Sequence, residues 1–444
     1  MFYTYAKGAD FKMEVAVRRV SPDDFNVVVI GAGAAGLAAA AQLLACNIAV
    51  RIVEARDRIG GRAHTVMTAG FPLDLGCGWL HSADRNPWTR IASMAGFTID
   101  NTAPGWERQS LDLGFPAKDQ VDLRAAGARF RQRLEALDPG GADSPAADLL
   151  DPGCRWNPIL NAESAFMSGA ELDLVSAQDL KRYADSAVNW RVREGYGSVI
   201  AAYGARLPVE LNCAVRLIDH RGLRVRMETS RGAITADAII VTAPAALIAS
   251  EAIRFQPALP DKVGAAAALP LGLADKLVMA IDDPQLFPAD GHLLGDPARA
   301  TTASYHLRPF GRPLIEGFFG GRLARDLEAG GPDAFFAFAA NELASLAGES
   351  IRGKLRPVSA TRWDADPFAR GSYSYATPGH AGARARLGEP VGQRLYFAGE
   401  ACSPDSFSTA HGAFLSGVSA AKQIIADLAD AGALSSEIAP ESKT

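Results

Sequence analysis

At 444 residues the chain can bury a large core and exceeds the usual single-domain size, so two domains are expected. Its 50 acids and 45 bases are interspersed and leave a net charge of −5, which argues against a nucleic-acid groove or a polybasic membrane surface. The five cysteines (Cys46, Cys77, Cys154, Cys213, Cys402) are scattered, with no CxxC and no Cys/His cluster, so neither a disulfide framework nor a metal site is expected. An odd, sparse set of thiols fits a reducing, cytoplasmic setting.

In chain order, Met1–Phe25 carries Arg18-Arg19 followed by Ser21-Pro22-Asp23-Asp24 where a leader would have an apolar core. It therefore reads as an N-terminal extension and not as a secretory or twin-arginine signal. Residues 27–62 then read VVVIGAGAAGLAAAAQLLACNIAVRIVEARDRIGGR. Val27–Ile30 is an apolar run suited to a strand buried on both faces. Gly31, Gly33 and Gly36 follow at G-x-G-x-x-G spacing and open an Ala-rich helix to Leu44, beginning with Ala34 and Ala35. Gly31 permits the tight turn, Gly33 lets backbone N–H groups approach a pyrophosphate, and Gly36 lets the helix pack against the strand. The positive end of that helix faces the phosphates. A second strand, Ala49–Val53, ends in Glu54, placed to accept from both ribose hydroxyls and so to disfavour a 2′-phosphate.

The continuation Ala55-Arg56-Asp57-Arg58-Ile59-Gly60-Gly61-Arg62 separates the dinucleotides. A second close backbone approach at Gly61 and a fixed cation at Arg62 suit a longer cofactor lying extended, FAD rather than NAD. Nucleotide-binding features return twice, at Gly195-Tyr196-Gly197-Ser198 through the strand Ala238–Thr242 and Pro244, and around the strand Leu395–Ala398. The expected fold is α/β: a Rossmann-type FAD domain (26–84, 195–264, 361–430) interleaved with a discontinuous α+β substrate domain (85–194, 265–360), and a tail at 431–444. In the first insert Val121, Leu123, Phe130, Leu134 and Leu137 are expected on one helix face, ended by Pro139-Gly140-Gly141. The second mixes strands Lys276–Ile281 and Leu314–Gly320 with a helix from Asp333 to Ala347. No 18-residue apolar span occurs, so no membrane helix is expected. Lys276 shares its strand face with Val278 and Ala280, which would turn the ammonium inward, although a lysine at a strand end more often reaches solvent.

From Val27 to Ala421 the sequence resembles the flavin-dependent amine oxidases, the family of monoamine oxidases, polyamine oxidases and lysine-specific demethylases. The likeness is sharpest in EARDRIGGR, DLGCGWLH, WDADPFARGSYSY and YFAGEACSPDSFSTAHGAFLSG. It implies that Gly76, Cys77, Gly78 and Trp79 run under the flavin ring, with His81 facing the substrate. It makes Lys276 the lysine that holds a water against flavin N5. Tyr373 becomes a wall of the aromatic substrate cage, supported by Trp363 and Phe368. Thr409 stands where many members carry the second cage tyrosine, so the cage is half built. Ser372 stands where monoamine oxidases have the cysteine bonded to FAD, implying a non-covalent cofactor. Gly399-Glu400 approaches the ribityl and phosphates, and Thr409-Ala410 starts a helix facing the flavin pyrimidine. Its small residues Gly412, Ser416 and Ala420 are expected to pack on the nucleotide domain. Val215 and Pro244 match the adenine-side strand and turn.

The reaction implied is oxidation of a primary or secondary amine by hydride transfer, with oxygen or another acceptor reoxidising the flavin. An L-amino-acid oxidase is the alternative, lowered because Gly76–His81 contains no arginine to clamp a carboxylate. A carotenoid-desaturase-like activity lacks the Lys276 and GSY features, and a non-catalytic protein like the Rab GDP-dissociation inhibitors does not fit the intact glycines and Gly399-Glu400. The amine itself is left open among polyamine, monoamine and cyclic amine. Glu163, Glu171 and Asp173 read no better as a polyamine anchor than as solvated helix charges. Whether the chain forms a homo-oligomer is also open.

Overall fold

Alternation along Val27–Ile30 explains the centre of the molecule. In the computed structural model, which describes residues 27–437 apart from 108, 112 and 114, this strand is buried on both faces. Val27 and Val29 join the core under the first helix, whereas Val28 and Ile30 join a second core on the other side. The strand is the middle of a five-stranded sheet ordered Leu395–Phe397, Ala238–Val241, Val27–Ile30, Val50–Val53 and Val209–Glu210. Every pairing in it is parallel. Three separated stretches of sequence thus supply one sheet, and the N-terminal extension lies outside the described residues.

Helix Ala34–Ala45 packs against the C-terminal helix Ala410–Glu437. The contact runs along Ala413, Gly417, Ala420 and Ile424, and a Cβ on Gly417 would lie 2.1 Å from the Ala35 carbonyl oxygen. Of the expected stripe of Gly412, Ser416 and Ala420, only Ala420 lies in this contact. A strict four-residue repeat drifts around a 3.6-residue helix, while alternating steps of four and three stay on one face. Gly412 instead lies against the turn before its own helix, its Cβ position 1.8 Å from the Ser406 carbonyl oxygen. Ser416 bonds the backbone N–H and carbonyl of Gly399. The helix also continues past residue 430, through Glu437.

A four-stranded sheet, Gly232–Ala236, Val225–Thr229, Val215–Asp219 and Arg254–Gln256, covers the far core. A third sheet is ordered Gly291–Leu294, Ser304–Leu307, Leu314–Gly320, Ala274–Ile281 and Leu355–Ala360, antiparallel throughout. One of its faces packs Phe319, Leu277 and Ile315 against the helices Gly321–Ala329 and Pro332–Ala347. Its other face carries Lys276, Glu316, Phe318 and His306. The first insert is helical as expected, chiefly Ala117–Glu135 and Asn157–Ser168. Val121 is exposed there while Leu123 is buried, because positions two apart point to nearly opposite sides of a helix.

Among the described residues, no helix is long and apolar enough to cross a membrane and no group of His, Cys, Asp and Glu is arranged to hold a metal.

Candidate active site

The parallel sheet, the antiparallel sheet and the helical insert meet around one elongated cavity of about 1490 Å³. One arm is made by backbone. Gly31 has φ +107° and Gly36 would place a Cβ 1.9 Å from the Gly31 carbonyl oxygen, so neither position accepts a side chain. Gly33 differs, since a Cβ there would meet no protein atom nearer than 4.0 Å and would enter the cavity itself. Ala34, Ala35, Ala55, Gly61, Val215 and Pro244 line the same arm. Glu54 is buried, and its carboxylate accepts from the N–H of Ala32 at 2.7 Å and of Arg56 at 2.9 Å. It therefore braces the glycine turn as well as lining the cavity, a role the motif did not suggest.

Two arginines tie this arm to the last segment. Arg56 pairs with Asp366 at 2.7 Å and lies over the Phe368 ring. Arg62 donates to the Ser372 carbonyl at 2.7 Å and to Glu400 at 3.0 Å. Glu400 also accepts from the Ser374 hydroxyl at 2.6 Å and the Ser408 N–H at 3.1 Å. Against its burial, the Arg62 guanidinium and these donors hold its carboxyl below the usual range.

At the junction of the arms lies Gly76, whose Cβ position is 1.6 Å from the Arg62 carbonyl oxygen. The Lys276 ammonium donates to the carbonyls of Gly76 at 2.7 Å and Asp74 at 2.9 Å, and sits 3.4 Å from where a Gly78 Cβ would be. The inward turn expected of Lys276 is the one observed. Cys77 and Trp79 line the cavity beside it, and burial pushes the Cys77 thiol up to about 12, leaving it an unreactive neighbour. Trp363 is buried at the cavity wall, its backbone N–H donating to the Asp275 carboxylate at 3.2 Å.

The other arm is built from side chains. Tyr373 lines it and donates its hydroxyl to the Phe166 carbonyl. His81 meets Asn189 Oδ1 through Nδ1 at 2.6 Å, and burial lowers its pKa, so the ring is neutral with Nε2 left as acceptor. The Thr409 hydroxyl donates to the Ser406 carbonyl at 2.6 Å and accepts from the Gly412 N–H at 3.0 Å, capping the C-terminal helix. Thr409 and Ala410 both line the cavity beside Gly399.

Several lining residues escaped the sequence reading. Trp106 packs edge-on to Trp79 with centroids 4.5 Å apart, and Phe166 and Phe318 add further aromatic wall. Glu163, which the sequence left open between a polyamine anchor and a solvated helix charge, faces the cavity, and burial pushes its carboxyl up to about 7 against the pull of Arg131. Glu171 is buried but accepts from the Arg322 N–H at 2.8 Å, and Asp173 stays exposed, paired with Arg322 at 2.7 Å. His306 and Glu316 line the cavity from the antiparallel sheet. Their signal was present, a polar residue at an alternate position of each apolar strand, but a strand's sequence does not say which cavity it faces.

A family model of flavin-containing amine oxidoreductases matches residues 34–104 and 129–425. The chain belongs to this family. It is 30% identical over 435 residues to probable polyamine oxidase 4 of Arabidopsis thaliana, covering 89% of this chain and 86% of the relative. Polyamine oxidase 2 of the same plant is 29% identical over 435 residues, with 89% and 87% covered. Lysine-specific histone demethylase 1 homolog 3 of Oryza sativa subsp. indica is 28% identical over 448 residues, 90% of this chain but 54% of that protein. The protein is therefore a flavin-dependent amine oxidoreductase with FAD as its cofactor. The backbone arm fits that group: Gly33 leaves open the space a dinucleotide fills, Gly61 lies against it with a Cβ position 3.3 Å from the Gly33 Cα, and Glu54, Arg62 and Glu400 are placed along it. Ser372 holds Ala274 through its hydroxyl at 2.8 and 2.9 Å and offers no thiol, so the cofactor is non-covalent.

Proposed function

We propose that the enzyme oxidises a C–N bond of an aliphatic di- or polyamine, the imine then hydrolysing to a carbonyl and an amine. One observation carries the substrate class: the aromatic arm holds Glu163, a desolvated carboxylate whose burial is relieved when a cation binds beside it. The chemistry that FAD supplies when bound is acceptance of a hydride from the substrate's α-carbon. The chain does the rest. Trp79, Phe166, Phe318 and Tyr373 keep water from the reacting carbon and disfavour the ammonium form, which frees the amine lone pair. Lys276, held by two carbonyls, fixes a cation where the two arms meet and favours electron transfer toward that point. His81 offers a neutral imidazole nitrogen to the amine. With oxygen as acceptor the coproduct is hydrogen peroxide.

We assign the parallel sheet with its three contributing segments to an FAD domain and the inserts to a substrate domain, with the cavity between them. The five cysteines are free thiols, which supports a cytoplasmic protein. One observation favours a second reading, oxidation of an amino acid: Arg124 and Arg131 line the cavity from the Ala117–Glu135 helix and suit a carboxylate. Turnover of spermidine, putrescine, benzylamine, cyclohexylamine and L-leucine, followed by peroxide and carbonyl product, tests the assignment. Preference for the first two supports it. Preference for leucine replaces it with the second reading.

A further inference from the structure

Lys276 faces the cavity, and its neighbour Asp275 faces the other way. Strand alternation puts Asp275 on the helix-packed side of the antiparallel sheet, paired with Phe319 and 0% exposed. An acid is costly there unless its charge is met or removed. Its Oδ1 is met, accepting from the Thr361 hydroxyl at 2.7 Å and the Trp363 backbone N–H at 3.2 Å. Its Oδ2 is buried without a hydrogen-bond partner. Within hydrogen-bonding reach lies a second buried acid, Glu328, 5% exposed in the last turn of helix Gly321–Ala329. The negative end of that helix disfavours a charge on Glu328 as well.

Together the two acids hold one short segment. Glu328 accepts from the backbone N–H of Ala365 at 2.6 Å and of Asp364 at 3.3 Å, so three consecutive N–H groups end on this pair. Thr361 ties the same segment to the strand, accepting from the Lys276 N–H at 2.8 Å and donating its own N–H to the Lys276 carbonyl at 2.9 Å. The segment carries Trp363 into the cavity wall, where its ring lies 3.5 Å from a Gly76 Cβ position. Gly76 is also where the Lys276 ammonium is anchored. Adjacent residues of one strand thus fix the junction of the two arms from opposite faces of the sheet.

We propose that Asp275 and Glu328 are positioning residues that share one proton, a clamp that holds Trp363 against the junction where the amine reacts. The proposal rests on the amine-oxidase reading above for its effect on rate. With one proton between them, the O–H of one carboxyl donates to the other, the orphaned Oδ2 gains a partner, and the pair carries a single charge. Loss of that proton to water breaks the O–H···O bond and leaves two negative charges in contact, which drives the helix and the Trp363 segment apart.

The groups around Asp275 keep the clamp closed at neutral pH. Burial pushes its carboxyl up to about 8, the hydrogen bond and charge of Glu328 act in the same direction, and the Thr361 hydroxyl and Trp363 N–H pull against them. Phe319 covers it from the strand Leu314–Gly320. The Asp275 charge also reaches Tyr373, raising a phenol that burial has already pushed up. Lys276 points away, its ammonium held by the Asp74 and Gly76 carbonyls. The clamp therefore opens as pH rises past about 8.

The test compares the wild-type holoenzyme with D275N and E328Q from neutral to alkaline pH. Asp275→Asn turns a permanent amide donor toward Glu328, and Glu328→Gln does the same toward Asp275. In the wild type, infrared difference spectra should show a protonated-carboxyl C=O band lost around pH 8, apart from the loss at Glu163 near 7. Tryptophan fluorescence and flavin absorbance should shift in the same titration. Anaerobic flavin reduction at saturating amine, where Glu163 no longer acts through KM, should slow by about tenfold, as expected when an oriented group is slightly misplaced. Both variants should lack that band and give flat profiles of spectrum and rate, whatever rate they start from. A merely structural pair would lower Tm and leave the pH profile in place. An alkaline transition that persists in either folded variant, or a wild type without the band, would overturn the clamp. If D275N fails to fold, E328Q and the wild-type infrared titration decide. A wild-type flavin that no amine reduces would instead sink the amine-oxidase reading, with the spectra still deciding the clamp.

Discussion

The two arms of the cavity are made in different ways. The nucleotide arm is mostly backbone: glycines that clear space, a helix start, and carboxylates that brace the turn through N–H groups. The substrate arm is side chains drawn from Trp79–His81, the helix Asn157–Ser168, the antiparallel sheet and Tyr373. A backbone site tolerates almost no change at its glycines and binds one ligand. A side-chain site can be rebuilt one position at a time, which is where relatives sharing the first arm can differ in substrate.

That contrast can be broken at several points. The largest effect is expected in the backbone arm, where Gly36→Ala would force a Cβ to within 1.9 Å of a carbonyl oxygen. Purified G36A should carry no flavin, seen as loss of visible absorbance per protein; full flavin content would show that the helix start can move. Next comes the junction. Lys276→Met should keep flavin but slow its reduction and reoxidation by about a hundredfold, the scale for losing one preorganised electrostatic group. Stopped-flow absorbance in both half-reactions checks this, and unchanged rates would make Lys276 a strut.

In the substrate arm, Glu163→Gln should raise KM for a diamine about tenfold, near 1.4 kcal/mol, and leave a monoamine's KM unmoved. In the wild type the Glu163 carboxyl titrates at about 7. As pH falls through that value the group takes a proton and loses its hold on the distal ammonium, so diamine KM should rise. E163Q should abolish that pH dependence, and a variant that retains it would place the titrating group elsewhere. The smallest change is Thr409→Ala, which removes a helix cap and should cost about 1 kcal/mol with flavin retained. A lowered Tm with normal absorbance fits a capping role; altered substrate preference at unchanged Tm would return Thr409 to the cage.

The same contrast explains what could be read from the chain. Backbone sites need particular residue types in consecutive order, so Gly31, Gly33, Gly36 and Arg62 announce their arm. Lys276 was legible for a second reason, its match to the lysine of the amine oxidases, since alternation alone leaves a strand-end lysine more often in solvent. Glu54 was found, but not its bonds to Ala32 and Arg56, which depend on turn geometry. Glu163 could not be told from a solvated helix charge, because what desolvates it comes from other segments. The packed stripe of the last helix was misplaced for a local reason, a repeat of four set on a period of 3.6.

The most direct measurement is an anaerobic titration of the yellow holoenzyme with spermidine, putrescine, benzylamine, cyclohexylamine and L-leucine, followed by readmission of air. Loss of the oxidised-flavin absorbance with the di- and polyamines, and its return in air with peroxide, is the predicted result. An unbleached flavin with every amine, or bleaching by leucine alone, would contradict the assignment.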